Sequence, residues 1–122
     1  MEGFETLKLN KEFRRLYGRG KNFVSPVLVT YCLPNRRGVN RIGITAGKKI
    51  GGAVQRNRAK RVITAAFRQC LPHISGHYDF CFIARVRTGP AGSVAVYNAM
   101  KKHLKELGVW LQEDEKIPLI PD

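Results

Sequence analysis

Apolar positions in this chain follow two periods, and the places where one gives way to the other mark its elements. Ala59, Val62, Ile63, Ala66 and Phe67 recur at the i, i+3, i+4, i+7, i+8 spacing of one helical face. The spacing predicts an amphipathic helix that starts after Gly51-Gly52 and ends near Cys70-Leu71-Pro72. Leu9, Phe13, Leu16 and Tyr17 share a face of a shorter helix over Leu9 to Gly18, with Asn10 as its N-cap and Gly18 or Gly20 as its stop. Val96, Ala99, Met100, His103, Leu104 and Leu107 form the inner side of a third helix from Ser93, which can cap it, to Leu107, with Gly108 to end it.

Elsewhere the pattern is that of strands. Phe23 to Leu33 reads as one strand region, its β-branched and aromatic run beginning after Pro26, with Val27, Val29, Tyr31 and Leu33 on one face. A turn at Pro34-Asn35-Arg36-Arg37-Gly38 leads to Arg41 to Ala46, expected as the second strand of a hairpin. Tyr78 to Arg85 is the most apolar segment and is expected to be a central strand. The order helix, strands, helix, strand, helix predicts a single α+β sandwich, a small mixed sheet with helices mainly on one face. Residues 1–112 form that domain, and residues 113–122 an acidic tail.

Charge sharpens the picture. The chain has 122 residues and a formal net charge of +13, more than solubility requires, which implies a polyanionic partner. Between Phe13 and Tyr78 there are fourteen Lys or Arg and no Asp or Glu. A salt-bridged exterior would mix signs, whereas an uncompensated stretch resembles an electrostatic footprint on nucleic acid. The densest part is the stretch from Lys48 to Arg68, where Asn57, Lys60, Arg61, Thr64 and Arg68 fall opposite the apolar stripe. The glycines before this helix can bring backbone N–H groups close to an anion. They are not a nucleotide-binding P-loop, because the G-x-x-x-x-G-K-[ST] spacing is missing.

Other classes fit less well. No apolar run approaches the ~18 residues of a membrane span, and Met1 to Asn10 lacks the apolar core of a signal peptide. The basic helix face also lacks the aromatic anchors usual beside lipid. Cys32, Cys70 and Cys81 are odd in number and widely spaced, which fits reduced thiols and a cytoplasmic location. His73 and His77 flank a Ser75-Gly76 turn without further ligands at metal-binding spacing and read as loop histidines. The histidines have no evident partners, and Asp79 and Glu106 are isolated, so no general acid–base set or carboxylate cluster emerges. The expectation is a protein that binds RNA without carrying catalytic groups.

The motif Lys49, Gly52, Ala53, Val54, Arg56, Asn57, Arg58, Lys60 and Arg61 resembles the signature of the protein subunit of bacterial ribonuclease P. Ala59, where a larger aliphatic is usual, and Thr64, where a cation is usual, depart from it. The resemblance covers roughly Leu7 to Leu107. It implies the fold of the second domain of a small-subunit ribosomal protein, with a left-handed strand–helix–strand connection around the basic helix. It implies assistance to an endoribonuclease that removes the 5′ leader of precursor tRNA. It implies contacts to the catalytic RNA from Lys48, Lys49, Arg56, Asn57, Arg58, Lys60, Arg61 and Arg68. It further implies a leader-binding cleft at Phe13, Tyr17 and Tyr31, aromatics that can stack on unpaired bases and whose alternative role is core packing. Mg²⁺ would be bound mainly by the RNA, none tightly by the protein, and neither a membrane nor a small-molecule substrate is expected. The competing reading is a ribosomal or tRNA-binding structural protein.

Overall fold

The computed structural model of the chain describes residues 3–111, so the acidic tail at 113–122 lies outside the described residues. The elements are β1 (Phe4–Thr6), α1 (Asn10–Arg19), β2 (Lys21–Ser25), β3 (Leu28–Pro34), β4 (Asn40–Thr45), α2 (Ala53–Cys70), β5 (Tyr78–Ala84) and α3 (Thr88–Leu107). A 3-10 turn at Lys48–Ile50 precedes α2, and another at Leu71–His73 follows it. The five strands form one mixed sheet in the order β1-β4-β5-β3-β2.

The most apolar strand does take the centre. β5 runs parallel to β4 on one side and antiparallel to β3 on the other. This overturns the hairpin expected between β3 and β4, since β5 lies between them. Five residues separate the two strands, enough to cross over a strand rather than fold back beside it, and β5 buries both of its faces there. The real hairpin is β2–β3, turning at Pro26-Val27. The single strand region read from Phe23 to Leu33 is thus two strands, separated where proline removes a ladder donor. Val27 sits in that turn and packs with the larger core, whereas Val29, Tyr31 and Leu33 point to the opposite face.

That alternation divides the molecule into layers. Leu28, Thr30 and Cys32 of β3, Ile42 and Ile44 of β4, and Phe80, Phe82 and Ala84 of β5 face α2 and α3. All five apolar positions predicted for the α2 stripe are buried there, with Phe67 edge-on to Phe4 and packed against Phe80 and Phe82. In α3, Val96, Met100, His103 and Leu104 are buried as the spacing implied. The helix is assigned from Thr88, earlier than expected, but Gly92 interrupts it at φ 86°, ψ 172°, so its continuous part begins at Ser93. A positive φ of this size is tolerated by glycine because it has no Cβ.

The other face carries only α1, packed over a smaller cluster of Leu7, Leu16 and Cys81 with Phe13, Tyr31, Leu33 and Ile83. Here Leu9, not Asn10, is the N-cap. Leu9 has no capping oxygen, and Glu12 instead reaches back to accept from the Leu9 and Lys8 N–H groups at 3.1 and 3.2 Å. α1 therefore starts under electrostatic control of one carboxylate, and it covers only part of its face of the sheet.

Candidate nucleic-acid interface

The aromatic residues converge in the partly covered gap between α1 and the sheet. Phe13 lies over Gly43 of β4, where a Cβ would stand 2.4 Å from its Cε1 atom, so the absence of a side chain there makes the seat for the ring. One turn on, Tyr17 meets Tyr31 of β3 edge-to-face with centroids 5.1 Å apart. The Tyr17 hydroxyl rests 3.6 Å from the Cys81 sulfur and also interacts with Thr45. Burial, with the neighbouring Cys81, pushes this phenol up to about 12, so it stays a neutral hydrogen-bonding group. Tyr17 nevertheless remains 43% exposed, and Phe13 and Tyr31 are half-buried. Tyr17 thus combines an anchored hydroxyl with an exposed ring, while Phe13 and Tyr31 stay half-buried beneath α1. Ile83, also half-buried, extends the apolar floor; as a strand residue on an apolar run it gave no separate sequence signal.

The cationic stretch adjoins this gap through the chain itself. β4 ends at Thr45, beside Tyr17, and three residues later Lys48 and Lys49 stand exposed on the 3-10 turn. Gly52 caps α2 without a side-chain hydrogen bond, leaving first-turn N–H groups for an outside acceptor. Asn57, Arg58, Lys60, Arg61 and Arg68 are exposed, and Arg56 is half-buried. Arg58 has a structural task as well: its Nε donates to the Gly89 carbonyl at 3.1 Å, tying α2 to the start of α3. Thr64, the residue that replaces a usual cation, bonds its hydroxyl back to the Lys60 carbonyl at 2.9 Å. Residues 46 and 47 join the aromatic group to the 3-10 turn that carries Lys48 and Lys49, while α2 packs on the other face of the sheet.

Sequence reasoning missed what holds this face together. Arg41, buried on β4, donates from Nε and Nη2 to the two Asp79 oxygens at 2.8 and 2.7 Å, and from Nη1 to Glu12 at 2.7 Å. Asn35 adds an amide bond to Asp79 at 2.8 Å. Bonding to Asp79, with Glu12 second, outweighs burial and raises the pKa of Arg41. Burial works against the charged form of Glu12, but the Leu9 and Lys8 N–H groups and Arg41 outweigh it and hold its pKa below the ordinary value. Asp79 stood out in sequence only as an isolated acid. Its partner became legible with the register, which places Arg41 opposite Asp79.

The same commitments bear on metal chemistry. Glu12 and Asp79 are both engaged with Arg41. Among the described residues no three His, Cys, Asp or Glu side chains come together as a metal ion would need. The three cysteines are free and buried, and burial pushes the thiols of Cys32 and Cys70 up to about 12. Among the described residues no helix is long and apolar enough to cross a membrane.

An α+β fold with an acid-poor cationic helix on one side and an aromatic cluster with an exposed tyrosine on the other defines the class of a small basic RNA-binding protein. The sequence model of the family described as Ribonuclease P matches residues 1–108. The ribonuclease P protein component of Clostridium kluyveri is 40% identical over 106 residues, covering 85% of this chain and 95% of that one. That of Clostridium beijerinckii is 40% identical over 115 residues, covering 88% and 92%. The Staphylococcus aureus RNase P protein superposes with a TM-score of 0.72 at 31% identity, covering 86% of this chain and 96% of the other. The Thermotoga maritima RNase P protein gives 0.66 at 25% identity, covering 84% and 94%. The chain belongs to the ribonuclease P protein family, and its role is that of an endoribonuclease subunit rather than of a ribosomal or tRNA-binding structural protein.

Proposed function

We propose that this subunit binds the ribonuclease P RNA through α2 and the 5′ leader of precursor tRNA through the aromatic gap. The observation that carries the reading is the short connection between the two surfaces: Tyr17 lies beside Thr45, and Lys48 stands three residues further along the chain. Lys48, Lys49, Arg56, Asn57, Arg58, Lys60, Arg61 and Arg68 contact phosphates of the catalytic RNA. Phe13, Tyr17 and Tyr31 receive unpaired leader bases, whose π-faces stack on aromatic rings whatever the base. Leader contacts add binding energy that mature tRNA cannot supply, so precursor is preferred over product. Mg²⁺ belongs to the RNA, and the cationic surface lowers the concentration of it that the RNA needs by screening phosphate repulsion.

The test is cleavage of a precursor tRNA at low Mg²⁺ by the protein mixed with a bacterial ribonuclease P RNA, with the protein alone as control. Cleavage is expected only in the mixture. Phe13→Ala should lose preference for precursor over mature tRNA, and Arg61→Ala should weaken binding to the RNA. Six phosphate contacts would make log K fall against log salt with a slope of roughly −4, at ~0.7 per contact for single strands. Cleavage by the protein alone, or binding indifferent to salt, would refute the reading.

A further inference from the structure

Arg36 and Arg37 belong neither to the α2 stripe nor to the aromatic gap. Their loop joins β3 to β4 at the end of the sheet where β4 begins, whereas α2 departs from the end where β4 finishes. At ~3.3 Å per residue, Arg41 and Thr45 are about 13 Å apart along the strand. At the Arg41 end the loop and α1 enclose an open hollow lined by Arg15, Pro34, Asn35, Arg36, Arg37 and Arg41.

The hollow has a charge arrangement of its own. Arg41 at its floor is already matched by Glu12 and Asp79. Arg15, Arg36 and Arg37 are exposed, and none has an ion pair among the described residues. The loop is also held in place. Asn35 donates its side-chain amide to Val39 O at 3.1 Å and to Asp79 at 2.8 Å, accepts from the Arg37 N–H at 2.9 Å, and donates its backbone N–H to His77 O at 3.1 Å. Three guanidinium groups are therefore gathered over a hydrogen-bonded base without a carboxylate of their own. Guanidinium forks match phosphate oxygens in pairs.

We propose that Arg15, Arg36 and Arg37 form a second phosphodiester-binding site, separate from α2 and on the α1 side of the sheet, at the end where β4 begins. The inference rests on the RNA-binding role proposed above. The phosphates it takes belong either to the ribonuclease P RNA or to the precursor's leader beyond the aromatic gap. The site lengthens the RNA footprint by one strand length and fixes its direction across the sheet.

The experiment compares wild type, Arg36→Ala/Arg37→Ala, Arg15→Ala and Arg61→Ala over a salt series. One arm measures binding to the ribonuclease P RNA alone. The other measures binding of precursor tRNAs with short and long leaders to the assembled complex. All four proteins should share one thermal midpoint, because the altered side chains are exposed. In the arm that holds the ligand, the double variant should bind more weakly, with a slope flatter by roughly 1.4, at ~0.7 per phosphate contact. A loss confined to the first arm assigns the phosphates to the RNA subunit. A loss confined to long leaders in the second assigns them to the leader. If Arg61→Ala weakens binding while the Arg36/Arg37 variant matches wild type in both arms, this site is refuted and the α2 interface stands. If wild type binds neither RNA, both readings fall.

Discussion

Arg41 is the residue on which the α1 side of the sheet depends. It joins α1 through Glu12, β5 through Asp79 and, by way of Asp79, the Asn35 loop. Replacing it by Met would leave two carboxylates facing each other without a counterion. Removal of one partner from a buried pair costs about 3–5 kcal/mol, largely from the charge left behind. Arg41→Met should lose stability of that order in urea unfolding, with RNA binding lost in proportion as α1 loosens. Gly43 makes a different point, because an added Cβ would meet Phe13 at 2.4 Å. Gly43→Ala is expected to cost about 1–3 kcal/mol by overpacking and to displace the ring. Preference for precursor over mature tRNA should fall, while affinity for the RNA subunit stays as in wild type. Equal losses in both affinities would contradict a cleft role for Phe13.

At the scale of the element, α2 separates two functions by angle. Its inner side holds Phe67, wholly buried among Phe4, Phe80 and Phe82. Phe67→Ala should cost about 3–5 kcal/mol in an unfolding titration and make the chain aggregation-prone. On the outer side, Arg61→Ala should stay within about 0.5 kcal/mol of wild type, while the salt slope of RNA binding flattens by roughly 0.7. This division was legible because a helix stripe depends only on spacing along the chain. The aromatic pair of α1 was legible for the same reason, since Phe13 and Tyr17 are one turn apart. The strand partners were not. β3 and β4 are neighbours in sequence, yet β5 pairs with both, and pairing depends on which strand can bury two faces. Tyr31, Cys81, Gly43 and Thr45 met around the α1 rings only once that order was set.

Across the whole molecule, charge and protonation act together. The +13 charge repels itself within one small fold, and His103 sits inside it. His103 is buried, with Nδ1 2.8 Å from the Thr30 hydroxyl and its ring stacked on Phe23. Burial holds its pKa below the usual value, so the unfolded chain takes up a proton that the folded one resists. The stability this supplies is present above the unfolded value of about 6.5 and declines as pH falls toward the folded value. Glu12, also lowered, adds a loss further into acid, below its unfolded value near 4.3. Urea midpoints should therefore fall from about pH 7 to about pH 5, and His103→Gln should flatten that first decline. An unchanged profile in the variant would place the proton uptake elsewhere.

The sequence by itself determined the helices, the apolar stripe of α2, the central strand and the uncompensated positive charge. Each is carried by spacing or composition within a short window, where chain connectivity keeps the residues in register. Its ordered motif at Gly52 to Arg61 also sufficed to indicate the family. Only the tertiary structure decided the strand order, the pairing of Arg41 with Glu12 and Asp79, and the gathering of Arg15 with Arg36 and Arg37. Those contacts join residues far apart in the chain. The free energy that selects among such pairings comes from burying both faces of β5 and satisfying the charges beside it, which no local window contains.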